Sequence, residues 1–253
     1  MQTSQEWIGH FRHNIQQERI NWQLPPAISA AEKKLVLKGI QGWQLGETSD
    51  GTRLLAAANS YANAIGDTHY YRAVQWFIKE EQKHGANLGR YLDAIGAQRL
   101  QHHWSDWIFR KVRHFNASME CWTLTVITVE STAQVFYQSL KDATQCALLR
   151  QICTDILIDE AHHINFQLQR LATIFAGKSV LRKIVCFQLY RLFYFSTILV
   201  VWLAYWRTFS AGNNTFLPYL RKMQKKFTRT IQRIHQRPAF QTNAVSPLLP
   251  PML

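Results

Sequence analysis

The sequence predicts an all-α protein, and three features of it favour helices over strands. The chain of 253 residues is rich in alanine, leucine, glutamine and arginine, which all have high helix propensity. It has only 11 glycines and 7 prolines, and few of them interrupt the middle of the chain. Apolar residues recur there at helical spacing, and a hydrophobic content of 47% is enough for a sizeable buried core.

The predicted helices are bounded by capping signals. Ser29 and Glu32 form an S-x-x-E capping box, which predicts a first helix from residue 29 to about residue 65. A second helix is predicted over about 68–95, because Asp67 can cap its start and Gly96 its end.

The third predicted helix starts near residue 116 and ends at about residue 140. Asp142 and Gln145 form a second box, which predicts the start of a fourth helix that ends before Gly177. The stretch 97–115, with a short helix after Ser105, has the length of a crossover between two helix pairs. The chain therefore divides into an N-terminal extension (1–28), a four-helix bundle (29–176), an apolar and a basic amphipathic helix (177–237), and a Pro-rich tail (238–253).

Two segments of the bundle place a glutamate three residues before a histidine. They are FIKEEQKHGANLGRYL, with Glu81 and His84, and ILIDEAHHINFQLQRL, with Glu160 and His163. Residues i and i+3 share one face of a helix, so each pair offers an oxygen and a nitrogen ligand to one point. Chance alone predicts about 0.4 such pairs for this composition, and a lone match is weak evidence. Exposed Glu–His pairs without a function are the alternative.

Each pair is preceded by a glutamate on another helix, Glu47 before Glu81 and Glu130 before Glu160. Two half-repeats of this kind are the ligand pattern of four-helix bundles that bind two metal ions. Glu130 lies in the apolar stretch LTVITVESTAQVFY, where a lone buried carboxylate would be costly. We therefore expect these six residues to bind two metals, with the carboxylate of Glu130 bridging them.

Several neighbouring residues have other predicted roles. Asp50 is the alternative to Glu47 as the ligand of the first helix, whereas Glu120 and His162 fall off the ligand faces. Glu80 and Asp159 directly precede ligands, and we expect them to accept hydrogen bonds from His163 and His84 respectively, across the bundle.

These motifs resemble those of the ferritin-like di-iron carboxylate superfamily. EEQKHGANLGRYL is most similar to the second-helix segment of soluble acyl carrier protein desaturases, and DEAHH to the fourth-helix motif of di-iron oxygenases and ribonucleotide reductase radical subunits. The resemblance implies a ferritin-like bundle whose six ligands hold two iron ions, or a manganese and an iron, that react with O₂ when reduced. Ala133 and Gln134 stand where such enzymes often have a threonine, so the metal site carries over better than a particular reaction.

The leading functional hypothesis is an O₂-dependent oxidoreductase that hydroxylates, desaturates or cleaves an organic substrate. The sequence has no flavin, dinucleotide or iron–sulfur fingerprint, so a separate ferredoxin or reductase is expected to supply electrons. A ferroxidase or iron-handling protein is the second hypothesis, and a membrane-associated bundle with a structural metal is the third.

The excess of positive charge lies in the C-terminal third of the chain, because the first 160 residues contain as many acidic as basic residues. The net charge is +13, no Asp or Glu follows Glu160, and thirteen Lys and Arg lie between Arg170 and Arg237. An acidic carrier protein and an anionic membrane are the expected partners, and nucleic acid is the least favoured one. A homodimer is compatible with the sequence. The alternative for the charge is a solvated basic surface.

The largely apolar run 184–206 has only 15 residues without a charge after Arg191, fewer than the roughly 20 that a membrane span needs. We expect it to form a helix that packs against the bundle or a second subunit. The N-terminus lacks the apolar run of a signal peptide, and the four cysteines have no paired spacing. These features predict a cytoplasmic protein, peripheral to the membrane at most, with buried cysteines.

Overall fold

The structure, a computed structural model, describes residues 2–104, 107 and 118–235. Within these residues the chain forms eight α-helices and no strand. They are α1 (Ser4–Ile15), α2 (Ala30–Glu47), α3 (Thr52–Ile65), α4 (Thr68–Ala94), α5 (Met119–Asp142), α6 (Ala147–Ala176), α7 (Val180–Ala211) and α8 (Phe216–His235).

Helices α2, α4, α5 and α6 form a four-helix bundle, and the other helices surround it. Helix α1 packs on α4, and α3 packs on α4 and α5. Helix α7 packs on α2 and α5, and α8 on α6 and α7. Much of the connection between α4 and α5, the predicted crossover, lies outside the described residues. The prediction of an all-α bundle with additional C-terminal helices is confirmed, whereas the short helix after Ser105 and the tail 238–253 lie outside the described residues.

Capping explains most of the observed helix starts. The Ser29–Glu32 box is present, with Glu32 N donating to Ser29 Oγ over 3.1 Å and Ser29 N donating to Glu32 Oε2 over 2.9 Å. Asp67 caps α4 by accepting from Tyr70 N. Gly96, just after α4, has a φ of 63°, the left-handed conformation expected of a terminating glycine.

The prediction of one helix over 29–65 is wrong, because the chain breaks after Glu47. Thr48 Oγ1 donates to the carbonyl of Leu45, and Asp50 Oδ1 accepts from Thr52 N. Short polar side chains therefore take hydrogen bonds that the backbone of a continuous helix would make with itself. Gly51 then adopts a φ of 66°. The break leaves Glu47 as the last residue of α2 and restarts the chain as α3.

Two further expectations need correction. Asp142 is the last residue of α5 rather than the cap of α6, which begins after Cys146 without a side-chain cap. The backbone N–H of Gln145 instead donates to Glu32 Oε1 over 2.6 Å. All four cysteines are free, and Cys146 and Cys153 are buried, but Cys121 is exposed.

Helix α7 contains the predicted apolar run and extends it at both ends. Its most apolar stretch has a mean hydropathy of 1.8, and among the described helices it is the one long and apolar enough to cross a membrane, judged by length and composition. One face of this helix packs on the bundle, with Tyr194 and Val201 fully or almost fully buried. The opposite face is exposed, for example at Leu189 and Leu192.

Candidate metal centre

The four bundle helices bring all six predicted ligands together. Glu47 ends α2, while the other five lie in the middle of α4, α5 and α6. Two groups of potential ligand atoms result, each with all its atoms within 4.8 Å of one another. The first group is Glu47, Glu81 and His84, and the second is Glu81, Glu130, Glu160 and His163.

Glu81 is therefore the residue that both groups share. Its carboxylate lies between the two clusters, and its Oε1 is 2.7 Å from His163 Nδ1. Glu130, the predicted bridge, belongs to one group only, with its Oε2 4.0 Å from the same nitrogen. The geometry makes Glu81 the residue best placed to bind two ions at once.

Asp50, the alternative ligand of the first predicted helix, belongs to neither group of ligand atoms, and the same holds for Glu120 and His162. Asp50 is exposed and bonds to Thr52, whereas Glu47 is buried and accepts a hydrogen bond of 2.8 Å from the hydroxyl of Tyr137. The ring of His162 lies 4.3 Å from that of His10, and Glu120 pairs with Lys178.

Both expected contacts to the ligand histidines are present. His163 Nε2 lies 2.6 Å from Glu80 Oε2, and His84 Nε2 lies 3.0 Å from Asp159 Oδ2. A carboxylate can only accept, so the Nε2 atom of each ring carries the proton. In a neutral imidazole Nδ1 then has a free lone pair, and in both residues Nδ1 is the atom that faces the carboxylate clusters.

Further side chains, which sequence patterns do not indicate, join these two pairs by hydrogen bonds. Asn14 Nδ2, on α1, donates to Glu80 Oε1 over 2.5 Å and to Asp159 Oδ1 over 2.7 Å. Arg19 pairs with Asp159 and, over 2.5 Å, with Asp155. These partners are 66 to 145 residues apart in the chain, so no local motif could have predicted them.

Burial and mutual repulsion raise the pKa of most of the carboxyl groups. Burial, reinforced by the charge of Glu81, raises the pKa of Glu130 to about 7. Burial and neighbouring carboxylates hold the pKa of Glu47 and of Glu160 well above the usual range. Burial also opposes the ionisation of Glu81, but the charge and hydrogen bond of His163 outweigh it and lower its pKa to about 2.

Several buried polar atoms of the cluster have no hydrogen-bond partner among the described residues. They are both oxygens of Glu160 and Nδ1 of His84. A buried polar atom without a partner costs about 1–3 kcal/mol, so their concentration at one point calls for a ligand. Closely spaced carboxylates repel one another and the lone pairs of nearby imidazole rings unless protons or cations lie between them. Four Glu and two His fit two divalent metal ions in both number and chemistry.

A cavity of about 400 Å³ adjoins the cluster. Glu47, Glu81 and Glu130 contribute to its wall, which is otherwise largely apolar. The apolar lining residues are Trp43, Leu54, Phe77, Ile78, Trp122, Val126, Val129 and Val201. The indole N–H groups of Trp43 and Trp122 have no acceptor among the described residues.

The fold is similar to that of several solved structures. One is a point mutant of an R2-like ligand-binding oxidase with an aerobically reconstituted Mn/Fe cofactor, with a TM-score of 0.68 and 16% identity over 92% of this chain and 97% of the other. Another is an R2-like ligand-binding oxidase without metal cofactor, with a TM-score of 0.67 and 15% identity over 92% and 96% of the two chains.

No family model and no curated protein matches the sequence. The likeness to acyl carrier protein desaturases remains a prediction from one motif segment, EEQKHGANLGRYL. The structural matches extend over more than nine-tenths of both chains, well beyond the segments that carry the motifs. The chain therefore has the ferritin-like helical fold of the R2-like ligand-binding oxidases.

Proposed function

We propose that the protein is an O₂-dependent oxidase with a dinuclear metal centre and an organic substrate. The observation that carries this proposal is the arrangement of six ligands, five of them buried, in two groups that share Glu81. The oxidases of similar fold, several of which are described with a Mn/Fe cofactor, support it. Two irons and a manganese–iron pair both suit this ligand set.

The chain's own residues prepare the site for metals. Glu80 and Asp159 accept the Nε2 protons of the two histidines and so aim their Nδ1 lone pairs at the clusters. Tyr137 fixes one oxygen of Glu47 by its hydrogen bond. Held by these six residues, a reduced pair of metal ions would supply the electrons that activate O₂.

The cavity supplies a place for the substrate. Its apolar residues favour a ligand with an apolar part beside the carboxylates. An acceptor on that ligand could satisfy the indole N–H of Trp43 or Trp122. Storage of iron mineral would call for an acidic surface, whereas this chain is strongly basic, so the ferroxidase alternative is less well supported.

Reduction of O₂ to water takes four electrons, and removing two from a substrate leaves two to be supplied. We infer that a separate reductase or ferredoxin donates them, since the sequence has no fingerprint for a second redox cofactor.

Metal loading and O₂ uptake test the proposal. The protein is loaded anaerobically with Fe²⁺, or with Mn²⁺ and Fe²⁺, and then exposed to O₂. We expect two metal ions per chain, a coupled pair in Mössbauer or EPR spectra, and O₂ uptake faster than that of the free ions. Glu120→Ala serves as the control and should behave like the wild type, because Glu120 lies outside the cluster. One ion or fewer per chain, or O₂ uptake no faster than that of the free ions, would contradict the proposal, and a large hollow assembly on size exclusion would favour the ferroxidase.

A further inference from the structure

Helix α7 has apolar side chains on both faces, and one face is uncovered. Its inner face, with Tyr190, Tyr194, Ile198, Val201 and Tyr205, is buried. Its outer face carries seven large apolar residues that are about half or more exposed. They are Leu181 (72%), Val185 (51%), Leu189 (64%), Leu192 (68%), Leu199 (47%), Leu203 (59%) and Trp206 (49%).

These seven residues form one continuous stripe. From Val185 to Trp206 they follow one another at helical spacing, with exposed Ser196 as the single polar member of the row. The stripe from Leu181 to Leu203, before the kink at Tyr205, is about 33 Å long, given a rise of about 1.5 Å for each of 22 residues. A soluble monomer rarely leaves so large an apolar surface in water unless it binds something.

The charges around the stripe identify the partner. Exposed Arg182, Arg191 and Arg207 lie on the same helix, and no acidic residue occurs anywhere after Glu160. A second copy of the chain would bring these positive charges towards one another. Anionic lipid headgroups would neutralise them, at about 1 kcal/mol for each Lys or Arg near the surface.

The inner face of α7 makes hydrogen bonds and packing contacts with the rest of the protein. The hydroxyl of Tyr194 donates to the carbonyl of Met223 over 2.9 Å. Tyr205 packs its ring 5.6 Å from that of Phe136 and contributes to the wall of the cavity. Crossing a bilayer would strip these contacts away. We propose that α7 lies flat on an anionic membrane surface, with its outer face in the headgroup region and its inner face on the bundle.

Vesicle sedimentation of the metal-loaded full chain tests this. The vesicles are phosphatidylcholine alone or with about 30 mol % phosphatidylglycerol, at about 0.1 M and about 0.5 M salt. We expect binding to the anionic vesicles that weakens at high salt. The variant Leu189→Glu/Leu192→Glu should bind at least about tenfold more weakly, since two apolar contacts are lost. Ile65→Glu, an equivalent change at an isoleucine of α3 that is 44% exposed, should bind as the wild type does.

A second variant tests the charge independently of the apolar face. Arg182→Gln/Arg191→Gln/Arg207→Gln should weaken binding to anionic vesicles by at least about tenfold and leave binding to neutral vesicles unchanged. Equal binding by the wild type and Leu189→Glu/Leu192→Glu, or no binding to anionic vesicles at all, would overturn the proposal. A dimer that this double variant dissociates, without vesicle binding, would make a second copy the occupant. Release by detergent alone would show that α7 spans the bilayer.

Discussion

At the scale of single residues, Glu81 is the position on which the two halves of the candidate metal centre depend. It lies in both groups of ligand atoms, and the charge of His163 keeps it ionised while its neighbours favour protons. The other five ligands each belong to one group. Loss of Glu81 should therefore affect both metal positions, whereas loss of a ligand that belongs to one group should affect only one position.

Replacing Glu81 with Ala should remove both metal ions, whereas Glu47→Ala should remove one. The physical reason is that the carboxylate of Glu81 is within reach of both groups of donor atoms. Metal content per chain after loading and desalting is the measurement. His162→Ala is the matched control and should keep both ions, since the ring of His162 lies against that of His10 and outside both ligand groups. Equal metal loss from the Glu81 and Glu47 variants would refute a shared ligand.

Asp159→Asn should weaken metal binding by roughly 10- to 100-fold without removing a ligand. The carboxylate of Asp159 accepts from His84 Nε2 over 3.0 Å and so orients the ring, and the neutral side chain of Asn cannot provide that charged acceptor. Competition with a chelator measures the affinity. Asp155→Asn is the control, because Asp155 is also buried and paired with Arg19 but does not contact His84. An unchanged affinity in Asp159→Asn would mean that Asp159 only anchors Arg19.

At the scale of helices, α2 depends on a close approach to its neighbours. A Cβ atom at Gly39 would lie 2.6 Å from Thr208 Oγ1 on α7 and 3.0 Å from the ring of Phe136 on α5. Both distances are shorter than side-chain contacts normally allow. The glycine therefore lets three helices meet beside the cavity and the metal centre.

Gly39→Val should lower the free energy of unfolding by about 1–3 kcal/mol, because the added carbons overpack this contact. Urea denaturation measures the change. Gly46→Ala in the same helix is the control, since nothing lies within 4 Å of its added Cβ, and it should raise the stability by about 0.5–1 kcal/mol. A Gly39 variant as stable as the wild type would show that α7 can shift away from α2 without loss.

At the scale of the whole molecule, the buried carboxyl cluster couples stability to pH and to metal. The folded pKa of Glu130 is about 7, above its ordinary value of 4.5, so the metal-free folded state holds a proton that the unfolded chain releases. Such a group loses its contribution to stability as pH rises between these two values. The raised pKa values of Glu47, Glu160 and His163 act in the same direction.

The melting temperature of the metal-free protein should therefore fall as pH is raised from about 5.5 to about 8. The metal-loaded protein should show the opposite trend, because metal binding displaces these protons and strengthens with pH. Thermal unfolding across a pH series measures both. Glu130→Gln should flatten the trend of the metal-free protein. A metal-free protein that becomes more stable over this range would contradict the assigned pKa shifts.

The sequence by itself determined the helical class, the bundle and the set of candidate ligands. Glu81 with His84, and Glu160 with His163, are local patterns, because a single helix turn fixes their relation before any tertiary contact forms. The sequence also predicted two contacts between helices, that of Glu80 with His163 and that of Asp159 with His84. A ligating imidazole needs an acceptor for its other ring N–H, and these acids directly precede ligands. The Ser29–Glu32 box is likewise local.

Only the tertiary structure decided which of these residues act together across the chain. Glu81 is the shared residue because of how α4 lies against α2 and α6, and helical spacing alone does not determine that relation. The break after Glu47 depends on Gly51 fitting against Ile78, where a Cβ would lie 2.6 Å from Cδ1. Asn14 and Arg19 reach residues up to 145 positions away. Apolar pattern alone could not tell which face of α7 is covered, because both faces are apolar and only packing distinguishes them.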